Sequence, residues 1–181
     1  MKPLFLIISF FICAVSLAQT KPLPAREVLK AACSKAAVEN KKVLLIFHAS
    51  WCGWCRTMDR SLADPAIKHY FDSSFVITHL TVYERADKKV LENPGAEDFL
   101  KQHQLNDQGI PIWMVLDKEG SVLADCMLRP EAAASGTRAQ NTGCPASEQE
   151  VAHWIKVLRK TTNLNEAALE KIRTRFRKNE Q

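Results

Sequence analysis

Five consecutive apolar residues, Val43-Leu44-Leu45-Ile46-Phe47, run almost directly into two closely spaced cysteines in Trp51-Cys52-Gly53-Trp54-Cys55. An apolar run of that length, bounded by Lys42 and His48, predicts a strand buried on both faces, as in a parallel sheet. Residues 53 to 63 hold no helix breaker after Gly53, so the cysteines sit where a strand hands over to a helix. Asp64-Pro65 then supplies a cap and a first-turn proline for a further helical turn carrying Ile67, Tyr70 and Phe71.

The rest of the chain continues in the same alternation. Between residues 24 and 40, Leu29, Ala32, Cys33, Ala36 and Ala37 recur at helical spacing and predict an amphipathic helix, with Cys33 a small hydrophobe on its buried face. Residues 75 to 82 are β-branched and aromatic and form a second strand. Asn93-Pro94 opens a helix with Ala96, Phe99 and Leu100 on its apolar side. Strand, helix, strand, helix implies a parallel pair. After Gly109-Ile110-Pro111, two strand-like runs, residues 112 to 116 and 121 to 128, are joined by the polar turn Asp117-Lys118-Glu119-Gly120 and should pair antiparallel. Residues 129 to 146 show neither period and read as a surface loop. Ser147 and Glu150 form a capping box ahead of a helix through Val151, Trp154, Ile155 and Leu158. Asn165 caps a last helix, with Leu164 stapled to Leu169.

Composition narrows the class further. With 46% hydrophobic and 25% charged residues among 181, the chain is neither disordered nor collagen-like and suits one globular domain. Met1-Lys2, an apolar run over residues 4 to 12 and Ser16-Leu17-Ala18 have the layout of a secretory signal peptide, with cleavage expected after Ala18 and a periplasmic or secreted product. The run falls short of the roughly 20 residues that span a bilayer. An uncleaved anchor and lipidation at Cys13 are the alternatives, and Ile12 argues against the second. The expected division is a signal peptide over 1–18, a globular domain over 19–160 and a C-terminal helical extension over 161–181. Losing one lysine with the leader lowers the formal charge from +5 to +4, which is only mildly basic. Lys171, Arg173, Arg175, Arg177 and Lys178 fall in the last turns of the final helix, where cations complement the dipole, so no nucleic acid is expected as a partner. Six cysteines less one in the leader leave an odd number, so at least one has no intramolecular partner.

A cysteine pair at a helix N-terminus has a chemical use. Unsatisfied backbone N–H groups and the positive end of the helix dipole stabilise a thiolate on the first sulfur, and thiols of this kind have pKa values of about 3.5 to 7.5. Cys52 is therefore the candidate nucleophile, and Cys55, one turn on, the resolving thiol that closes a Cys52–Cys55 disulfide. Gly53 permits the closing geometry. Trp51 and Trp54 offer apolar surface to a partner, with core packing the favoured alternative for Trp51. The same spacing is half of a zinc knuckle, but Cys126 and Cys144 are too far apart in sequence to supply the other half, so neither a metal nor a cofactor is expected.

On these residues the chain resembles the thioredoxin superfamily, through His48-Ala49-Ser50-Trp51-Cys52-Gly53-Trp54-Cys55 and through Gly109-Ile110-Pro111 followed by a hairpin. Within it, the chain is similar to secreted bacterial thioredoxin-like proteins and to the C-terminal domain of the interchange protein DsbD, which share a turn like Leu62-Ala63-Asp64-Pro65. The resemblance implies a three-layer α/β sandwich, with a central mixed sheet of about four strands flanked by helices and an extra C-terminal helix. It also implies a cis Ile110–Pro111 bond facing the cysteines and a neighbouring backbone that pairs with extended substrate. Base rates alone would make that bond trans. Many thioredoxins carry a buried aspartate where this chain has Ile46. Asp59, one turn after Cys55, is a candidate proton acceptor or else a solvated helix residue, and His48 and His79 are candidates or else ordinary strand histidines.

Cys126 and Cys144 invite a second disulfide, with two free thiols or an exchanging pair as alternatives. The leading expectation is an exported thiol:disulfide oxidoreductase, a reductant or isomerase rather than an oxidant. Its partners would be disulfide-bearing proteins and an external thiol reductant such as a membrane electron-transfer protein, without stable membrane insertion once the leader is removed. The rivals are a non-catalytic binding module with a structural disulfide and a metal-binding protein.

Overall fold

The computed structural model describes residues 21–129 and 139–180. The leader, Cys13 and residues 130 to 138 lie outside the described residues. Helix α1 (Ala25–Glu39) leads into strand β1 (Lys42–His48), then α2 (Gly53–Leu62), α3 (Lys68–Ser74) and β2 (Phe75–Thr81). A 3-10 segment over Ala86–Leu91, which the sequence pattern did not signal, precedes α4 (Ala96–Gln102). The hairpin β3 (Ile112–Leu116) and β4 (Val122–Asp125) follows, then the two-residue strands β5 (Met127–Leu128) and β6 (Gln140–Asn141). Helices α5 (Glu148–Thr161) and α6 (Glu166–Arg177) follow, and a 3-10 turn over Lys178–Glu180 ends the described residues.

The sheet runs β2-β1-β3-β4, with β1 parallel to β2 and antiparallel to β3, and β3 antiparallel to β4. The mixed four-stranded sheet expected from the sequence is thus present, with β1 and its five-residue apolar run in the interior of the sheet. All five residues of its apolar run are buried. Because side chains alternate along a strand, Val43, Leu45 and Phe47 face one layer while Leu44 and Ile46 face the other. Phe47 meets Phe99 of α4 on the first side. On the second side Trp113, the register partner of Ile46, packs edge-on against Trp154 of α5, and Trp154 in turn contacts Phe71 and Phe176. Helix α6 therefore places Phe176 in the same aromatic core as α3 and α5.

Local chemistry explains the helix limits. The Ser147–Glu150 capping box is formed in both directions, and the Asn165 side chain accepts from Ala168 N–H. Asp64 caps a turn rather than α3 itself: its side chain accepts from Ala66 N–H, and α3 begins only at Lys68.

Three expectations are corrected. Ala37 is exposed, because the buried face of α1 runs through Ala25, Ala32 and Ala36, while Leu29 and Cys33 are half-buried at its margin. The run 121 to 128 is no single strand: it breaks at Cys126, and Met127 leaves β4 to pair with Asn141. Residues 142 to 146 are buried or half-buried rather than a surface loop, since Thr142 bonds back to Cys126 O through both N–H and hydroxyl. The three arginines of the basic tail are each paired with a carboxylate. Arg173 meets Glu148 and Glu170, Arg177 meets Glu148 and Glu180, and Arg175 meets Asp64.

Candidate active site

Strand β1 ends at His48, and the chain turns through Ala49, Ser50 and Trp51 into α2 with Cys52 as the N-cap residue. Cys52 N–H donates to Ala49 O, and Cys55 N–H donates to Cys52 Sγ at 3.0 Å. The first sulfur therefore occupies the place of a capping oxygen, at the positive end of the helix, with a backbone donor aimed at it. Cys52 and Cys55 are joined as a disulfide with Cα atoms 5.3 Å apart.

The Ile110–Pro111 peptide is cis, as the resemblance implied. Ile110 O lies 3.6 Å from Cys52 Sγ, and the Ile110 side chain packs against Ala49, Cys52 and Cys55 on one side and the main core on the other. Gly109 is exposed beside it, so one edge of the loop faces solvent next to the sulfurs.

Both cysteines are only 2% exposed, so the first is less accessible than a nucleophile at a helix start suggests. Trp51 and Trp54 are the exposed residues of the motif, at 44% and 53%. Core packing for Trp51 is thereby corrected. Its ring lies at the surface, and its Nε1–H donates to Tyr83 O at 2.8 Å.

The loop before Cys52 is held by residues that the sequence pattern did not single out. Glu84, 4% exposed, accepts from Ser50 N–H at 2.5 Å and from the Ser50 hydroxyl at 2.8 Å. Its own N–H donates to Glu92. Arg56, from α2, donates to Ser50 O at 3.1 Å. The Gly109–Pro111 loop has a brace of its own: Asn141 Nδ2 donates to Gly109 O and Pro111 O, at 2.5 and 3.2 Å, while Asn141 Oδ1 accepts from Gly143 N–H. Trp113 Nε1–H donates to Gly143 O, tying this brace to the aromatic core. Glycine suits position 143, where φ is +53° and a Cβ would approach Pro111.

Asp59 lies 2.9 Å from His79 Nε2, and the His79 ring is 5.0 Å from that of His48. His79 is also the register partner of Ile46, so the two histidines and Asp59 gather on the Ile46 face of the sheet beneath α2. Burial, reinforced by the neighbouring His79, holds the His48 imidazole below its ordinary pKa.

The possible Cys126–Cys144 disulfide is not formed; Cys33, Cys126 and Cys144 are free thiols. The two loop cysteines look toward different neighbours. Cys126 lies at the break between β4 and β5, with its N–H on Trp113 O, whereas Cys144 Sγ meets Asn179 Nδ2 at the end of α6. Burial pushes both thiols up to about 12. Burial also raises Cys33, with help from Asp117 and Glu119. Among the described residues, no group of three or more His, Cys, Asp or Glu side chains is placed to hold a metal ion. Nor is any helix there long and apolar enough to cross a membrane.

A family model described as thioredoxin-like matches residues 25–118, more than half of the chain. Among solved structures, the chain is similar to a disulphide isomerase from Xylella fastidiosa Temecula1, at 23% identity over 60% of this chain and 80% of that one, with a TM-score of 0.46. It is also similar to the oxidised DsbD C-terminal domain of Neisseria meningitidis, at 26% identity over 57% and 84% with a TM-score of 0.39. The chain is similar as well to a DsbH oxidoreductase, at 17% identity over 93% of this chain and 95% of that one, with a TM-score of 0.41. Comparison with curated proteins yields no match.

Proposed function

The chain belongs to the thioredoxin-like family, and on that premise we propose that it is an exported thiol:disulfide oxidoreductase that reduces or isomerises protein disulfides. The observation that carries this reading is the Cys55 N–H aimed at Cys52 Sγ at 3.0 Å. That donor, together with the dipole of α2, favours negative charge on the sulfur that must attack.

In the dithiol form, the Cys52 thiolate attacks one sulfur of a substrate disulfide, forms the mixed disulfide and expels the other substrate sulfur as a thiolate. Cys55 then loses its proton and attacks Cys52 Sγ. This releases the second substrate thiolate and leaves the Cys52–Cys55 disulfide, so two electrons pass to the substrate. The Asp59–His79 pair, with Asp59 one helical turn beyond Cys55, takes up the proton. Trp51, Gly53, Trp54 and the exposed edge at Gly109 and Ile110 form the substrate contact. An external dithiol protein, such as a membrane electron-transfer partner, restores the dithiol. Export is inferred from the residues up to Ala18, which have the signal-peptide layout.

Equilibration of the Cys52–Cys55 couple with glutathione buffers tests the direction of flow. A potential near or below that of thioredoxin, about −270 mV, supports a reductant, while one near about −120 mV marks an oxidant and overturns it. A second reading, a binding module with a locked structural disulfide, draws on the burial of both cysteines to 2%. Dithiol-dependent reduction of insulin separates the two, since a locked disulfide gives none.

A further inference from the structure

Beside the cysteines, an open cleft of about 770 Å³ runs between the exposed side of α2 and the end of α6. Gly53 and Trp54, the two residues between the cysteines, line one end of it. Arg56, Arg60, Arg175 and Lys178 line the rest, against a single carboxylate, that of Asp64. Asp64 is engaged by Arg175 at 2.5 Å. Arg60 donates to the Thr57 hydroxyl, and Arg56 donates to a backbone carbonyl; neither contact neutralises its charge. Arg56, Arg60 and Lys178 are all exposed. Among the described residues none of these three cations is in a salt bridge, and the lining sets four cations against the one carboxylate of Asp64, so the cleft carries a net positive charge.

We propose that this cleft docks an acidic stretch of the polypeptide whose disulfide is exchanged at Cys52. The inference rests on the function proposed above and names its substrate class. Gly53 and Trp54, which follow Cys52 in the motif, line this cleft, so chain that flanks a disulfide at Cys52 on that side enters it. Guanidinium and ammonium groups spread along a groove recognise carboxylates spread along an extended chain. They also speed encounter, because a cleft lined by one sign of charge concentrates the opposite sign. Trp54, 53% exposed at the junction, covers the apolar part of the same segment.

The test uses the full chain in its dithiol form and a pair of synthetic peptides with the same internal disulfide, one flanked by a run of glutamates and the other by glutamines. At low ionic strength the acidic peptide is reduced about tenfold faster, and high salt removes that ratio. Arg60→Gln with Lys178→Gln brings the ratio near unity, whereas Arg60→Lys with Lys178→Arg retains it. Both positions are exposed, so folding is preserved, and circular dichroism verifies it. Equal rates for the two peptides at low salt, or a ratio that survives the glutamine pair, overturn the cleft assignment alone. If neither peptide is reduced, the exchange chemistry itself fails, and this inference with it.

Discussion

Glu84 holds Ser50 with both of its carboxylate oxygens, one on the backbone N–H at 2.5 Å and one on the hydroxyl at 2.8 Å, two residues before Cys52. A buried carboxylate with two donors from one residue fixes that residue's backbone as well as its side chain. Glu84→Ala should lower stability by about 1.5 kcal/mol, a fall of roughly 3–6 °C in Tm, since bonds to a charged acceptor are lost. Insulin reduction should slow beyond what stability explains, because the approach to Cys52 loosens. Ser50→Ala, which keeps the N–H bond, should fall between wild type and Glu84→Ala in both readouts.

The Asn141 brace calls for a parallel comparison. Asn141→Ala removes the donor shared by Gly109 O and Pro111 O and the acceptor of Gly143 N–H. A loss of about 1–2 kcal/mol follows from such contacts, read by urea unfolding, with a rise in KM for a peptide substrate larger than the fall in kcat.

Stability should fall on the acid side through His48. Burial first, and His79 second, hold its folded pKa below the ordinary 6.5. The unfolded chain therefore takes up a proton at a higher pH than the folded one. Stability is undiminished above the unfolded value and declines as pH drops below it toward the folded value. Thermal melts from pH 8 to pH 5 should show Tm decreasing through that window, and His48→Gln should flatten the decrease.

Thiol labelling separates the functional pair from the others. After reduction of the native protein at neutral pH, a maleimide should label Cys52 first. Cys126 and Cys144, held near 12 by burial, should label only in denaturant, and Cys33 slowly. Mass spectrometry of the digested protein reads the order, and fast native labelling of Cys126 contradicts the buried placement.

Much of this architecture was written locally. The unbroken apolar run of β1, the capping box at Ser147 and Glu150 and the strand-to-helix placement of Cys52 each depend on near neighbours, and the structure reproduces them. What was illegible depends on contacts between distant parts of the chain. Glu84 meets Ser50 across 34 residues and has no motif around it. The stretch over residues 142 to 146 is rich in small and polar residues, so it read as surface; its burial follows from the pairing of β6 with β5 just before it and from Trp113 reaching Gly143. Trp51 looked like a core residue by type, yet its N–H found a partner at the surface, on Tyr83 O. The basic cleft joins α2 to α6 and so could not be seen along either helix alone.

Two roles, attack by Cys52 and resolution by Cys55, divide the exchange between the sulfurs. Incubating reduced Cys55→Ser with a disulfide peptide and weighing the product by intact-mass spectrometry tests this division most directly. A persistent adduct linked through Cys52, no adduct at position 55 in Cys52→Ser, and no insulin turnover by either variant are expected. Stable adducts through Cys55 alone, or turnover undiminished in Cys52→Ser, would contradict these roles.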